Sequence, residues 1–267
     1  MNIHLYATDK SVFLLLQQLP EDSQINVTAV IVPQNREYTK KVNDLVKMSG
    51  DIPVYIQKQT NWIASELPDA DMAISWLYSQ FIPLRILKKY SYGVLNMHGG
   101  KVPQYRGANV LQWAIINGET ELGVTWHSMV EEIDAGPVWK ESLVSVSVED
   151  DALYARELLI KEGIRTFYSA WIDCVDPSKN GKVPNLSKGK YWPPRNPEDG
   201  RIYPGMTINH VVNMVRALPK PWPEATIKVG DLWKEVDFVS MLPIGNSVPY
   251  ETTDQKVVYL QLSNEKN

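Results

Sequence analysis

The reactive side chains of this 267-residue chain gather around an amide, an imidazole and a carboxylate. Asn96 and His98 stand two residues apart in Asn96-Met97-His98-Gly99-Gly100-Lys101-Val102-Pro103-Gln104-Tyr105-Arg106-Gly107, and Asp134 lies in Glu131-Glu132-Ile133-Asp134-Ala135-Gly136-Pro137. An amide can donate to an oxygen that gathers negative charge, an imidazole can handle a proton, and a carboxylate can orient and charge the imidazole. Together they make an acyl-transfer set. The same types also serve plain structure: Asn-x-His can satisfy backbone groups at a strand end, and Asp-Ala-Gly-Pro is a good turn in any protein. On spacing alone both readings stand.

Other chemistries find no support. The first apolar segment runs into Ala7-Thr8-Asp9-Lys10 rather than a glycine-rich fingerprint, which argues against a dinucleotide held in the usual Rossmann manner. The sequence contains no Walker-type loop and no G-x-S-x-G elbow. His4, His98, His127 and His210 show no metal-ligand spacing, and Cys174 is the single cysteine, so neither a disulfide nor a multi-cysteine zinc site can form within the chain. No metal is expected.

Composition narrows the class further. The chain is 44% hydrophobic and 22% charged, with mean hydropathy −0.26, as suits a globular protein with an ample core. A net charge of −4 does not suggest a protein that holds nucleic acid through phosphate contacts. The start, Met1-Asn2-Ile3-His4-Leu5-Tyr6, lacks a basic region followed by an apolar one, and no apolar run approaches a membrane span. A cytoplasmic location without membrane contact is expected.

Hydrophobic periodicity shows how the reactive residues are positioned. Residues 2–7, 26–32, 52–56, 72–78 and 93–97 read as strands, and 11–19, 36–48 and 109–116 as helices. This alternation predicts an α/β fold with a mostly parallel, Rossmann-like sheet. Asn96 and His98 then share one face at the carboxyl end of a strand, where open α/β sheets bind ligands. The glycines after His98 let another segment or a ligand approach. Residues 123–130 and 138–148 read as antiparallel strands joined by the Asp134 turn, and 152–174 as a long helix.

Composition changes near residue 185. Ten of the 18 prolines fall from Pro184 to Pro249, around one amphipathic helix at 208–218 and strand candidates at 226–239 and 256–262. The division expected is a catalytic domain at 1–185 and a small α+β subdomain at 186–267.

Asn96-x-His98, Pro103, Tyr105-Arg106-Gly107 and Asp134-Ala135-Gly136 resemble the formyltransferases that use N10-formyltetrahydrofolate. The family pattern is Asn-x-His, a small residue, Ser-Leu-Leu-Pro, an aromatic, a basic residue and Gly, then a distant Asp-x-Gly. Here Gly99-Gly100-Lys101-Val102 departs from it, while the triad is intact, and Gly118-Glu119, Gly123-Val124-Thr125, His127-Ser128-Met129 and Gly136-Pro137 agree. The likeness runs from about residue 1 to 240. It implies a formyltransferase core in which Asn96, His98 and Asp134 are catalytic. Asn96 would donate to the oxyanion, and His98 would act either as base or as a protonated donor with Asp134 steering the proton. The resemblance also implies a folate cleft between residues 78–82 and 131–134, involving Tyr78, Ser79, Gln80, Ile82, Glu131 and Glu132. Gln104, Tyr105 and Arg106 would face the acceptor.

Beyond residue 185 the chain resembles nucleotide-sugar N-formyltransferases, whose tract reads R-x-P-E-D-G, N-x-[VI]-R-A-L and P-x-P-G-A; Pro194-Arg195 and Glu224 are local departures. Arg195, Arg201, Arg216 and Lys220 could meet a diphosphate, and Tyr191, Trp192, Tyr203 and Trp222 a base. The acceptor expected is a dTDP-linked amino-deoxysugar, foremost dTDP-4-amino-4,6-dideoxyglucose, for bacterial O-antigen or other surface glycans, with Trp192, Arg195 and Arg216 in contact. A 3-amino isomer or a UDP-sugar would also suit. Methionyl-tRNA or another amine as acceptor, hydrolysis without an amine, and a non-catalytic folate-binding member are the alternatives. A homodimer is expected.

Overall fold

In the computed structural model, residues 1–21, 23–34, 39–57 and 67–263 are described. In chain order the elements of the first sheet are β1 (Asn2–Ala7), α1 (Val12–Leu16), β2 (Asn26–Pro33), α2 (Thr39–Met48), β3 (Val54–Gln57), β4 (Met72–Trp76), α3 (Leu84–Leu87) and β5 (Val94–His98). The short strand β6 (Arg106–Gly107), helix α4 (Val110–Ile116), β7 (Glu121–Ser128), β8 (Val138–Ser145) and the long α5 (Ala152–Val175) follow. The part of the second predicted helix at 36–38 lies outside the described residues.

The strand order is β3-β2-β1-β4-β5-β7-β8. The pairs among β1 to β5 are parallel, and β7 runs antiparallel to β5. The near-continuous apolar runs of β1, β2 and β4 follow from this, since a central parallel strand is covered on both faces. Met97 of β5 pairs with Trp126 of β7, and their face receives α5. There Trp126 stacks on Trp76 at 5.8 Å and meets Phe167 at 5.4 Å, and a Cβ on Gly163 would come within 3.0 Å of both Met97 and Trp76. Full burial of a side chain such as Phe167 contributes about 1.5–3 kcal/mol. The opposite face carries a register row of Tyr6, Ser75, Asn96 and His127, above a core that includes Ala73, Ile82, Ile86 and Val94.

The described chain gathers into two compact units, each made of three segments. The first takes Met1–Arg106, Gly123–Ser142 and Ile160–Lys190; the second takes Gly107–Leu122, Leu143–Leu159 and Tyr191–Asn267. The last crossing between them falls near the composition change at 185, but the second unit also draws on two earlier segments that a single cut does not assign to it.

In the second unit, β9 (Tyr191–Trp192), β10 (Arg201–Ile202), α6 (Ile208–Ala217), β11 (Ala225–Val229), β12 (Leu232–Ser240), β13 (Ser247–Glu251) and β14 (Val257–Leu262) follow one another. The sheet order is β10-β11-β12-β14-β13. The strand expected over 226–239 is a hairpin, broken at Gly230, whose φ of 61° favours glycine. Thr207 caps α6 by accepting from the His210 backbone N–H, and Val211, Met214 and Val215 form its buried stripe.

Candidate active site

The site is built on the carboxyl end of β5. Asn96 and His98 project from it on one face, as alternation requires, and β7 sets His127 opposite Asn96 and Thr125 opposite His98. Thr125 is fully buried and donates from Oγ1 to the Gly100 carbonyl at 2.7 Å, which ties down the turn after His98. The close approach at this turn is made by Gly123, where a Cβ would lie 2.4 Å from the Lys101 nitrogen. Gly189 presses on the other side of the loop, where a Cβ would meet the Pro103 carbonyl at 1.9 Å. The loop so clamped presents the Tyr105 carbonyl to His98 Nε2 at 2.6 Å.

Asp134 arrives from the turn between β7 and β8. Its φ of 49° is left-handed, a conformation aspartate tolerates better than most residues. Gly136 lets the turn fold back onto β7: a Cβ there would lie 1.8 Å from the Ser128 carbonyl. The Ser128 N–H closes the turn onto the Pro137 carbonyl at 2.9 Å. The Asp134 carboxylate then faces two imidazoles, with Oδ2 3.4 Å from His98 Nδ1 and Oδ1 3.3 Å from His127 Nε2. All three side chains are almost entirely buried.

The carbonyl contacts decide the tautomers. A carbonyl oxygen carries no proton, so His98 Nε2 must donate to Tyr105 and His127 Nδ1 must donate to Ser128, the latter at 3.0 Å. Neutral His127 then has its lone pair on Nε2, where the Asn96 amide nitrogen donates from 3.1 Å. That bond uses one of the two amide hydrogens and fixes the amide plane.

The structure thus brings the three predicted catalytic residues together and adds His127, to which the sequence reading gave no role. The signal was present in strand pairing: a polar residue on β7, facing the same way as Asn96 and buried to 1% exposure.

The other expected residues are placed as follows. Arg106 is buried, donates from Nη1 to the Glu132 carboxylate at 3.0 Å, and keeps a buried Nε without a partner. Glu131 and Gln104 are exposed, and Tyr105 is half-buried. Tyr78 turns inward, Ile82 is 1% exposed, Ser79 is exposed, and Gln80 is half-buried with a buried Oε1 that has no partner.

In the second unit Trp192 stacks on Trp113 at 5.2 Å, and Trp113 donates from Nε1 to the Pro193 carbonyl. The Arg195 guanidinium lies 5.8 Å over the Trp113 ring, within cation–π range, with its Nε and Nη2 buried and without partners. Burial pushes its pKa below the usual arginine value, against the pull of Asp199. Arg216 is engaged by the backbone: it donates from Nη1 to the Ser147 and Asp150 carbonyls and from Nε to Asn213. Arg201 pairs with Glu198, and Lys220 with Glu224 and Asp237. Among the described residues there is no group of three or more His, Cys, Asp or Glu side chains that could hold a metal ion.

Comparison with known proteins bears on the fold and the family. An N-formyltransferase from Helicobacter canadensis, solved with folinic acid and dTDP-3-aminofucose, is 18% identical, with a TM-score of 0.71 over 98% of each chain. A 4-N formyltransferase from Francisella tularensis is 16% identical, with a TM-score of 0.64 over 100% of this chain and 98% of the other. Methionyl-tRNA formyltransferase from Clostridium thermocellum is 16% identical, with a TM-score of 0.60 over 99% of both. At these identities what is shared is the fold. The sequence model described as formyl transferase matches residues 22–165, more than half of the chain and the span that holds Asn96, His98, His127 and Asp134. The chain is therefore an enzyme of formyl transfer and belongs to the formyl transferase family.

Proposed function

We propose that the enzyme moves a formyl group from N10-formyltetrahydrofolate to the amine of a nucleotide-linked amino-deoxysugar. The observation that carries this reading is the meeting of Asn96, His98 and Asp134 at the end of β5, inside the matched family span.

The residues fit a formyl-folate. The buried, unpartnered Gln80 Oε1 is an acceptor suited to a pterin N–H, in the stretch 78–82, and Glu131 and Glu132 are taken as the remaining folate contacts. Bound there, the folate supplies a formyl carbon open to attack by an amine. Asn96 directs its second amide hydrogen to the oxygen on which charge develops; one such donor is worth about 2.7–4 kcal/mol. His98 takes the proton of the attacking amine at Nδ1, the nitrogen that faces Asp134, while its Nε2–H stays on the Tyr105 carbonyl, and the proton passes on to N10 as the formyl C–N10 bond breaks and tetrahydrofolate leaves. Asp134 lies beside His98 Nδ1, and His127 fixes Asn96 by accepting one of its amide hydrogens. Gln104, Tyr105 and Arg106 form the acceptor side of this loop.

The nucleotide sugar is assigned from the second unit. Of the four cations considered for a diphosphate, Arg201, Arg216 and Lys220 are engaged by protein groups, and Arg195 holds two unpaired donors. Its fork suits a phosphate, and Trp192 offers a ring face to the base. We take the acceptor to be dTDP-4-amino-4,6-dideoxyglucose or its 3-amino isomer, the product a precursor of bacterial O-antigen or other surface glycan, and the location the cytoplasm. No helix among the described residues is long and apolar enough to cross a membrane. A homodimer through the second unit is part of the proposal, supported by the exposed Phe238, Met241 and Leu242. Sedimentation showing a monomer at micromolar concentration counts against that part.

The test is a formyl-transfer assay with a panel of dTDP- and UDP-amino sugars and methionyl-tRNA, read by mass spectrometry. A formylated sugar supports the reading. Formate released equally without any sugar, or formylation of the tRNA alone, contradicts it.

A further inference from the structure

The apolar run 72–78 predicts a strand that continues through Tyr78, yet β4 ends at Trp76. Leu77 takes a left-handed φ of 51°, an uncommon conformation for leucine that persists only where its surroundings enforce it. The effect is to turn Tyr78 into the protein. Its ring meets Tyr6 edge to face at 5.4 Å, and its hydroxyl donates to Gln57 Oε1 at the end of β3, three strands away in the sheet. Gln57 is 5% exposed. Tyr6 in turn shares a hydrogen bond with the Tyr90 hydroxyl at 2.7 Å, and Tyr90 meets His4 Nδ1 at 2.9 Å.

This polar chain is fixed in one protonation state at neutral pH. Burial raises the pKa of Tyr6 to about 12 and those of Tyr78 and Tyr90 well above the usual phenol range. Burial, followed by Lys89, lowers that of His4 to about 4. Around it lies the apolar core of Ile82, Ile86, Leu87 and Val94.

The stretch 78–82 is thus anchored twice, by Tyr78 at one end and by Ile82 at the other. Between these anchors Ser79 and Phe81 are turned outward, and Gln80 holds its unpartnered Oε1. We infer that Tyr78 is a positioning residue for the folate: it does not touch the pterin with its hydroxyl, but through Gln57 and Tyr6 it holds residues 79–81 in the shape that binds it. The inference rests on the reading of 78–82 as part of the folate site.

The test pairs Tyr78→Phe, which keeps the ring and removes the donor, with Gln57→Met, which removes the acceptor. A third variant, Val236→Ala in β12, supplies a core defect in the other unit. Folinic acid binding by calorimetry, thermal stability, and steady-state kinetics are measured for each. Both site variants are expected to bind folinic acid about five-fold or more weakly and to raise KM for the formyl donor alike, with kcat at saturation within about two-fold. Val236→Ala, with a similar loss of Tm, should leave folinic acid affinity unchanged. Where Tyr78→Phe does not fold, Gln57→Met carries the test. Unchanged affinity in the folded site variants overturns the positioning role, even if Tm falls. A wild-type protein that does not bind folinic acid overturns this inference together with the folate reading beneath it.

Discussion

His127 Nε2 lies 3.3 Å from Asp134 Oδ1, so a second imidazole packs against the carboxylate that faces His98. A single buried carboxylate between two rings could rotate toward either. Here both rings are pinned at their other nitrogen by a backbone carbonyl, and the Asn96 amide closes the group by donating to His127. Each member has its orientation set by a partner that cannot itself turn.

Replacing His127 should therefore injure catalysis without contact with substrate. His127→Ala leaves the Asn96 amide without the acceptor that fixes its plane, and kcat is expected to fall by about 10–100-fold with KM for the sugar little changed. His127→Gln, which can still accept from Asn96, should recover part of the loss. An unaltered kcat in folded His127→Ala would show that the second imidazole is idle.

Gly136 sets the position of Asp134. The methyl group of Gly136→Ala would collide with the Ser128 carbonyl, which is backbone and cannot swing aside. Turnover should drop by at least about ten-fold, with a lower Tm. Wild-type turnover would mean that the turn can shift and still deliver the carboxylate.

The two arginines of the second unit should separate cleanly. Arg195→Ala is expected to raise KM for the nucleotide sugar by about ten-fold or more, and Arg195→Lys to rescue it poorly, because a lysine offers no fork. Arg216→Ala removes hydrogen bonds to the Ser147 and Asp150 carbonyls and should cost about 1.5–3 kcal/mol of stability with KM nearly unchanged. The reverse pattern, read by kinetics and chemical denaturation, would exchange their roles.

Glu224 makes stability depend on pH. Burial, and after it the hydrogen bonds with Asp237 and Glu235, raises its pKa to about 7, against the pull of Lys220. Between the ordinary glutamate value and about 7 the folded chain binds more protons than the unfolded one, so this group's contribution falls as pH rises through that window and levels off above it. Glu224→Gln should flatten the decline of Tm between about pH 5 and 8 and be the more stable form at the upper end. A Tm profile identical to wild type would show that Glu224 ionises freely in the fold.

The parallel half of the fold was legible in the sequence because its strands are buried on both faces, so that runs such as Met72-Ala73-Ile74-Ser75-Trp76 announce themselves. Strand ends were less so: the apolar run continues past Trp76 because Tyr78, partly buried, packs against the core and is reached through a left-handed Leu77, which no periodicity marks. β13 escaped notice because Pro249 demotes any strand pattern, although at the edge of a sheet a proline is tolerated. Asn96, His98 and Asp134 stood out through chemistry and resemblance. His127 did not, because only the register of β5 against β7 brings it opposite Asn96. The role of Arg216 was hidden because its partners are backbone carbonyls, which any sequence supplies. The two discontinuous units likewise depend on where segments meet, not on where composition changes.

The central claim is that the amide of residue 96, the ring of residue 98 and the carboxylate of residue 134 act together on one carbonyl carbon. Its most direct measurement is the rate of formyl transfer from N10-formyltetrahydrofolate to the preferred amino sugar by Asn96→Ala, His98→Ala and Asp134→Ala, each first shown to be folded by circular dichroism. Each should be slower than wild type by about 100-fold or more. A folded His98→Ala protein that turns over at close to the wild-type rate would contradict the claim.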